Sequence, residues 1–344
     1  MFKSKYIITI FISFLIFFSS NAFCDLSNGL VAYYPFSGNA NDESGNGNDG
    51  VVNGATLTYD RFGVPNSAYS FDGSTNFIQV PSSASLEIQD AITLSAWVFH
   101  FSSSSPQHIV NMSALYSGYR LAAWWANPAG NSLEFYDTNE EQYLVDDGGQ
   151  PYIGVWTHIA GTWDGSVMRI YRDGILSGES TFTGQIAIAN NDLYIGVLNP
   201  IPWPIQGYFH GYIDDVRIYN RALSLGEIKQ LMAINVEIEI TPNNGANVIN
   251  PTRGGDLQVA ILTDGEFDAL RVNPETVIFG PGEATTTRVK VKDVDHDGDA
   301  DLLLYFTTFD AGISCGDTTA TLYGLTYDPI SIIGTDTFIT KGCN

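Results

Sequence analysis

The chain is predicted to be all-β, and three observations carry that. Seven Asp-Gly and four Asn-Gly dipeptides punctuate short runs rich in Val, Ile, Tyr, Trp and Thr, the pattern of tight turns between antiparallel strands. Thr93–Phe99, Thr157–Trp163, Met168–Arg172 and Asp192–Gly196 alternate with period two or are dense in β-branched and aromatic residues, so each reads as a strand. A single helix stands out at Leu225–Met232. Ser224 can cap it, Glu227 completes an S-x-x-E capping box, and Leu223 can pack on Ile228 as a staple. No fixed-period repeat is present, which disfavours a solenoid or a propeller.

At the N-terminus, Lys3 and Lys5 precede an apolar run from Ile7 to Phe18 that ends in Ser19-Ser20-Asn21-Ala22, the pattern of a secretory signal peptide over residues 1–24. The run falls short of the ~20 residues that span a bilayer, so membrane insertion is not expected. Cleavage after Ala22 or after Cys24 fits the small-residue rule, and the second is preferred because an ordered pattern begins at Asp25. Phe23 argues against a lipid anchor at Cys24. The expected location is secreted or extracellular, with a periplasmic or surface-associated protein as the alternatives. Cys315 and Cys343 then remain, and in an oxidising compartment one disulfide between them is expected. Neither cysteine sits in a C-x-x-C or beside a His, so metal and redox roles are disfavoured.

The chain has 344 residues, which allows two domains. The helix closes the first, residues 25–234; Ala233-Ile234-Asn235 is a connector, and residues 235–344 form a smaller C-terminal β domain resembling a sandwich. Only 15% of residues are charged against 44% hydrophobic, so the surface leans on Ser, Thr, Asn and Gly, as in many exported β proteins. Fifteen basic residues against thirty-eight acidic give −23, which repels phosphate backbones and anionic lipid, so a nucleic-acid partner is excluded. Cations are the natural small partners.

The segment Gly29-Leu30-Val31-Ala32-Tyr33-Tyr34-Pro35-Phe36-Ser37-Gly38-Asn39-Ala40-Asn41-Asp42 is followed by Phe71-Asp72-Gly73, Leu94-Ser95-Ala96-Trp97-Val98, Trp156–Trp163 and Gly211–Ser224. Together these resemble a laminin-G-like, concanavalin A-like jelly roll related to pentraxins. The resemblance implies a two-sheet sandwich from Leu26 to about Ala233. It does not settle activity, because such folds serve sugar binding, adhesion and catalysis. Trp97, Trp156 and Trp163 are expected mainly in the core, and His158 as a hydrogen-bonded framework residue. The pentraxin pattern is incomplete. Ala160 stands where pentraxins have a disulfide-forming Cys, and Val197-Leu198-Asn199 offers one side-chain oxygen where they carry ligand-binding calcium.

The same resemblance implies a structural calcium site built from the Asn39–Asp42 loop, with Asp42, and from the pair Asp214 and Asp215. Two or three carboxylates and turn carbonyls suit Ca2+, which takes six to eight oxygens. The alternative is that Asp42 caps a turn and one of the aspartate pair faces solvent.

For a ligand, loop aromatics are the natural surface, since flat rings stack on sugar faces. Trp203 lies between Pro202 and Pro204 and is the leading candidate, with covering of a sheet edge as the alternative. Trp124 and Trp125 are adjacent, so on a strand one must face away from the core.

In the second domain, Asp293, Asp295, Asp297, Asp299 and Asp301 occupy loop positions 1, 3, 5, 7 and 9 with Gly298 at 6, a pattern that can wrap Ca2+. Position 12 is Leu304 and the flanks are strand-like, so this is no EF-hand; the loop resembles the calcium hairpins of integrin α-chains.

The expected function is a secreted, calcium-stabilised binding protein, lectin-like or adhesive, that recognises a glycan or an extracellular surface protein without catalysis. The alternative is a polysaccharide-degrading enzyme of the concanavalin A-like glucanase class, but Glu134, Asp137 and Glu140 have a spacing that would not place all three on one strand face. The Gly312-Ile313-Ser314-Cys315-Gly316 match to G-x-S-x-G is a decoy, because a nucleophile elbow needs a helix after it and a turn follows.

Overall fold

The computed structural model describes residues 26–102, 106–114, 116–124, 130–198, 207–242, 247–265, 267–328 and 330–343. The expected signal peptide, residues 1–24, therefore lies outside the described residues.

The first domain is a sandwich of two antiparallel sheets. One runs, in spatial order, Ile175–Thr181, Val167–Arg172, Trp156–Trp163, Ile92–His100, His210–Tyr219, Ala68–Asp72 and Thr56–Thr58, with Leu30–Tyr34 also paired to His210–Tyr219. The facing sheet runs Gln142–Asp146, Gly130–Tyr136, Ser117–Trp124, Gln107–Ala114, Leu193–Ile195, Phe77–Val80 and Val51–Asn53. Alternation explains the core. Leu94, Ala96 and Val98 point inward and meet Leu121, Leu133 and Phe135 from the opposite sheet, all fully buried or nearly so. Trp163 is buried as expected, stacking on Phe135 and Phe182 at ring distances of 5.1 and 5.2 Å and donating its indole N–H to the Phe182 carbonyl at 3.1 Å.

Trp97 and Trp156 depart from the core expectation: both face outward and are half-buried. Register is the reason. Trp97 pairs with His158 and Phe99 with Trp156, one step out of phase with inward-facing Ala96 and Val98.

The predicted helix forms over Leu225–Gln230 with both halves of the Ser224–Glu227 capping box in place. Leu223, Ile228 and Leu231 pack with Ala160, Tyr171 and Tyr219, so the helix covers one end of the outer face of the first sheet. Its single buried apolar stripe suffices to anchor so short an element, since helices of this length are marginal alone.

The second domain pairs a five-stranded sheet, Ile234–Asn235, Ser331–Thr337, Thr319–Thr326, Val272–Phe279 and Ala284–Thr285, with a four-stranded sheet, Ile238–Ile240, Asp256–Ile261, Asp301–Thr307 and Arg288–Lys292. Its core gathers Val259, Leu304, Phe306, Phe279 and Leu322 between them. The segment leaving the helix is itself a strand: Ile234 and Asn235 pair in parallel with Ile332 and Ile333. Cys315 and Cys343 are joined in a disulfide that ties the turn before Thr319–Thr326 to the last residues. Ser314 is exposed in that turn, and the element that follows is a strand rather than a helix.

Candidate functional site

Three regions hold the functional residues expected from the sequence. The first is the acidic loop, a connection between the paired strands Arg288–Lys292 and Asp301–Thr307. Amide donors turn the chain at alternate carboxylates: His296 donates to Asp293, Asp297 to Asp295 and Asp299 to Asp297, at 2.7, 3.2 and 2.9 Å. His296 and Gly298 take φ of 70° and 108°, which curls the loop. One carboxylate oxygen from each of Asp293, Asp295 and Asp297 then lies within 4.8 Å of the others. That spacing fits oxygens on opposite sides of a Ca2+ at ~2.3–2.6 Å. Asp301 differs. It is fully buried and accepts the amides of Thr263 and Val294, so it fastens the base of the loop to the sheet. The Asp295 carboxyl is pushed up: against the Asp297 amide bond, which lowers it, stand desolvation and the charges of Asp297 and Asp301. An acid held above its usual range by neighbouring acids is where a cation would relieve repulsion.

The second region is the face of the seven-stranded sheet turned away from the core. Trp125 and Trp203 lie outside the described residues, and Trp124 is described only as the last residue of its strand. Four residues earlier on that strand, Arg120 forms a buried ion pair with Glu134 of the adjacent strand, and Ser132 and Gln142 donate to the same carboxylate. Asp137 accepts the amides of Asn139 and Glu141, and Glu140 is exposed at a turn with φ of 67°. Of the three carboxylates considered as a glucanase set, Glu134 and Asp137 thus have separate structural partners and Glu140 lies exposed at a turn.

The third region is the outer face of the eight-stranded sheet, and it contains what sequence reasoning missed. The strand His210–Tyr219 bulges between Asp214 and Arg217, where Asp215 adopts φ of 51°. Such a bulge re-aims side chains. It presents both aspartates to Arg61, whose Nη1 meets Asp214 at 3.1 Å and Asp215 at 2.8 Å, while Arg217 reaches Asp215 at 3.3 Å and the Tyr33 hydroxyl donates to it at 2.9 Å. Asp42 is apart from this group. It accepts the backbone amides of Tyr33, Ser44 and Asn48 and so caps its own loop. The aspartates expected to share a cation with Asp42 are therefore engaged by two guanidinium groups, and Tyr33 links the two places.

Burial, then the charge of Asp215, pushes the Asp214 carboxyl up to about 8 against the pull of Arg61. For Asp215, desolvation is outweighed by Arg217 and Arg61, which hold it below the usual range. His158, buried and bonded to Ser95 at 3.0 Å, is the expected framework residue; burial lowers it to about 3, lowers His100 to about 4 and takes His108 well below its ordinary value. These shifts set a stability optimum. Below pH ~6.5 the unfolded chain binds protons at three histidines that the fold excludes, so stability rises with pH there. Asp214 acts oppositely: the fold retains a proton that a free aspartate has lost above ~4, so from pH ~6.5 to about 8 stability falls. Melting temperature should peak near pH ~6.5, and Asp214→Asn should abolish the alkaline decline. A wild-type melting temperature that climbs steadily from pH 6.5 to 8 would refute this.

Next to the charge cluster runs an aromatic row. Phe99 contacts Trp156, Tyr212 and Phe101 at ring distances of 5.8, 5.4 and 5.8 Å, and Phe101 contacts Tyr212 at 4.8 Å. Phe101 is 40% exposed and Phe62, at the other side of Trp97, 42%. The Arg61 guanidinium is held between the Phe62 and Trp97 rings, 4.3 and 4.6 Å from their centroids. A signal for this was present: Trp97, Phe99 and Phe101 alternate with Ala96 and Val98, so both faces of one strand are apolar, which an outward face tolerates only where it is covered or binds something.

Comparison with known proteins agrees with the sandwich. Residues 72–229 match the Laminin_G_3 family, described as the Concanavalin A-like lectin/glucanases superfamily, so the first domain carries a unit of that class. No curated protein matches the chain. Among solved structures, the binding domain of Paraclostridial Mosquitocidal Protein 1 is similar with a TM-score of 0.51 and 13% identity, over 92% of this chain and 88% of that one. Domain 4 of AbnA, an extracellular arabinanase from Geobacillus stearothermophilus, solved with arabinotriose, has a TM-score of 0.48 and 23% identity, over 59% of this chain and 97% of its own. The botulinum neurotoxin serotype D binding domain has a TM-score of 0.47 and 15% identity, over 88% and 73%.

Proposed function

We propose that this chain is an exported glycan-binding protein whose second domain is stabilised by Ca2+ in the 293–301 loop, and that it acts without catalysis. The observation that carries the glycan reading is the aromatic row on the outer sheet face, with Phe101 exposed and Phe99, Trp156 and Tyr212 half-buried beside it. Rings fixed on a sheet present apolar ring faces of the kind that sugars stack on, and the sheet holds them without an ordering cost on binding. The likeness of the mosquitocidal binding domain adds a fold-level analogy only. Lys3, Lys5 and the apolar run Ile7–Phe18 support the export reading, and the Cys315–Cys343 disulfide is in keeping with it. For the cation, Asp293, Asp295 and Asp297 would supply side-chain oxygens, and Ca2+ would neutralise the loop.

Retention of the full chain on insoluble xylan, cellulose, arabinan and chitin in millimolar Ca2+ tests the reading. At least one should hold the wild type, and Phe101→Ala should weaken that retention by roughly tenfold through lost ring burial. If none of the polymers retains the wild type, glycan binding is abandoned.

A further inference from the structure

We infer that the cleft between the two domains completes the glycan site, and that it takes a neutral saccharide stacked on Trp97 and Trp156 and hydrogen-bonded by residues of both domains. This rests on the glycan-binding reading above and adds to it the ligand class and a role for the second domain. The cleft has a volume of about 600 Å3 and is lined from the first domain by Arg61, Trp97, Trp156 and Asp173, and from the second by Arg271 and Ser331. That volume lies within the ~300–1,000 Å3 of ordinary small-ligand sites. Trp156 belongs to both the cleft and the aromatic row, so a polymer lying along the row leads into the cleft.

The polar groups have the balance a sugar needs. The Trp97 indole N–H and the Arg61 Nε are buried and without an acceptor among the described residues. Buried donors are rarely left so, because each forfeits its bond to water. Asp173 supplies an acceptor. One of its oxygens is taken by the His158 amide at 2.8 Å, and no partner of the other occurs among the described residues. Arg271 ends a short 3-10 turn on the second domain, exposed, with its backbone carbonyl fixed by the Tyr327 amide at 2.8 Å. Donors and a carboxylate beside two indole rings match vicinal hydroxyls on an apolar ring face. An anionic sugar fits less well. Asp173 lines the cleft, Asp215 meets Arg61 at 2.8 Å, and the chain as a whole is at −23.

The test is calorimetric titration of the full chain with soluble arabinoxylan, mixed-linkage β-glucan, arabinan and polygalacturonate, in wild type and in Arg271→Ala, Trp97→Phe and Phe101→Ala, each checked for folding by its thermal melt. Binding should favour a neutral polymer. Arg271→Ala, which alters only the second domain, and Trp97→Phe, which keeps a ring but removes the N–H, should each weaken it by about five- to tenfold. If Phe101→Ala weakens binding while both cleft variants stay within twofold of wild type, the cleft has no part and the aromatic row stands alone. Tighter binding of polygalacturonate than of any neutral polymer overturns the ligand class. Absence of binding to all four polymers overturns this inference together with the reading on which it rests.

Discussion

Arg61→Ala is expected to destabilise the first domain by about 3–5 kcal/mol, the size typical of removing one partner from a buried ion pair. Arg61 is one of two guanidinium groups facing Asp214 and Asp215, its side chain and that of Asp214 are only 10% and 4% exposed, and its removal leaves Arg217 to balance Asp215 alone. Part of the loss is packing, because the guanidinium also fills the space between Phe62 and Trp97. Arg61→Met separates the two contributions by keeping most of the stem. In the double variant Arg61→Ala/Asp215→Asn the loss should be smaller than the sum of the two single losses, because the 2.8 Å contact between these side chains can be lost only once. Urea unfolding of the four proteins in a double-mutant cycle measures this. A loss under ~1 kcal/mol for Arg61→Ala would mean that the cluster behaves as a solvated surface pair.

Chelation should act on the other domain. With five aspartates in nine residues, each close carboxylate pair repels by roughly 0.7 kcal/mol at ~6 Å even in bulk water. Ca2+ at a hundredfold over its dissociation constant would stabilise the folded loop by about 2.7 kcal/mol, and extracellular sites commonly bind at ~10⁻⁴–10⁻³ M. Calorimetric scans in millimolar Ca2+ and in EDTA should therefore show the second domain melting several degrees lower without the ion. Asp297→Ala should melt low in both. Asp301→Ala should be worse in both, because that carboxylate also holds the Thr263 and Val294 amides whatever the cation. An EDTA scan that superimposes on the Ca2+ scan would remove the loop from any account of stability.

Local chemistry made much of the architecture readable. The Ser224–Glu227 capping box needs only residues three apart, and it formed as expected. The alternation in Thr157–Trp163 placed Trp163 inward because a pleated strand has no other way to arrange successive side chains. The acidic loop is equally local, its turns made by carboxylates accepting amides two or three residues on. Trp97 faces outward for a reason its own strand does not reveal. A strand with aromatic residues on both faces has no internal mark of which face is the core, and only register against Ala96 and its neighbours decides it.

The pairing of Arg61 with Asp214 and Asp215 joins residues 153 and 154 positions apart. Nothing in the Asp-Asp dipeptide distinguishes a guanidinium partner from a cation, because either satisfies the same charge. The bulge and the approach of Arg61 chose between them. What the amino-acid order determined unaided was the all-β character and the loop of alternating aspartates, since each arises from contacts within a few residues or from strand periodicity; the jelly-roll class of the first domain was legible through the resemblance of its separated motifs to a known family. Which aromatic rings face solvent, which aspartates meet arginine, and that Arg271 stands across a cleft from Trp97 were decided only by packing, because these depend on register and on how one domain seats against the other.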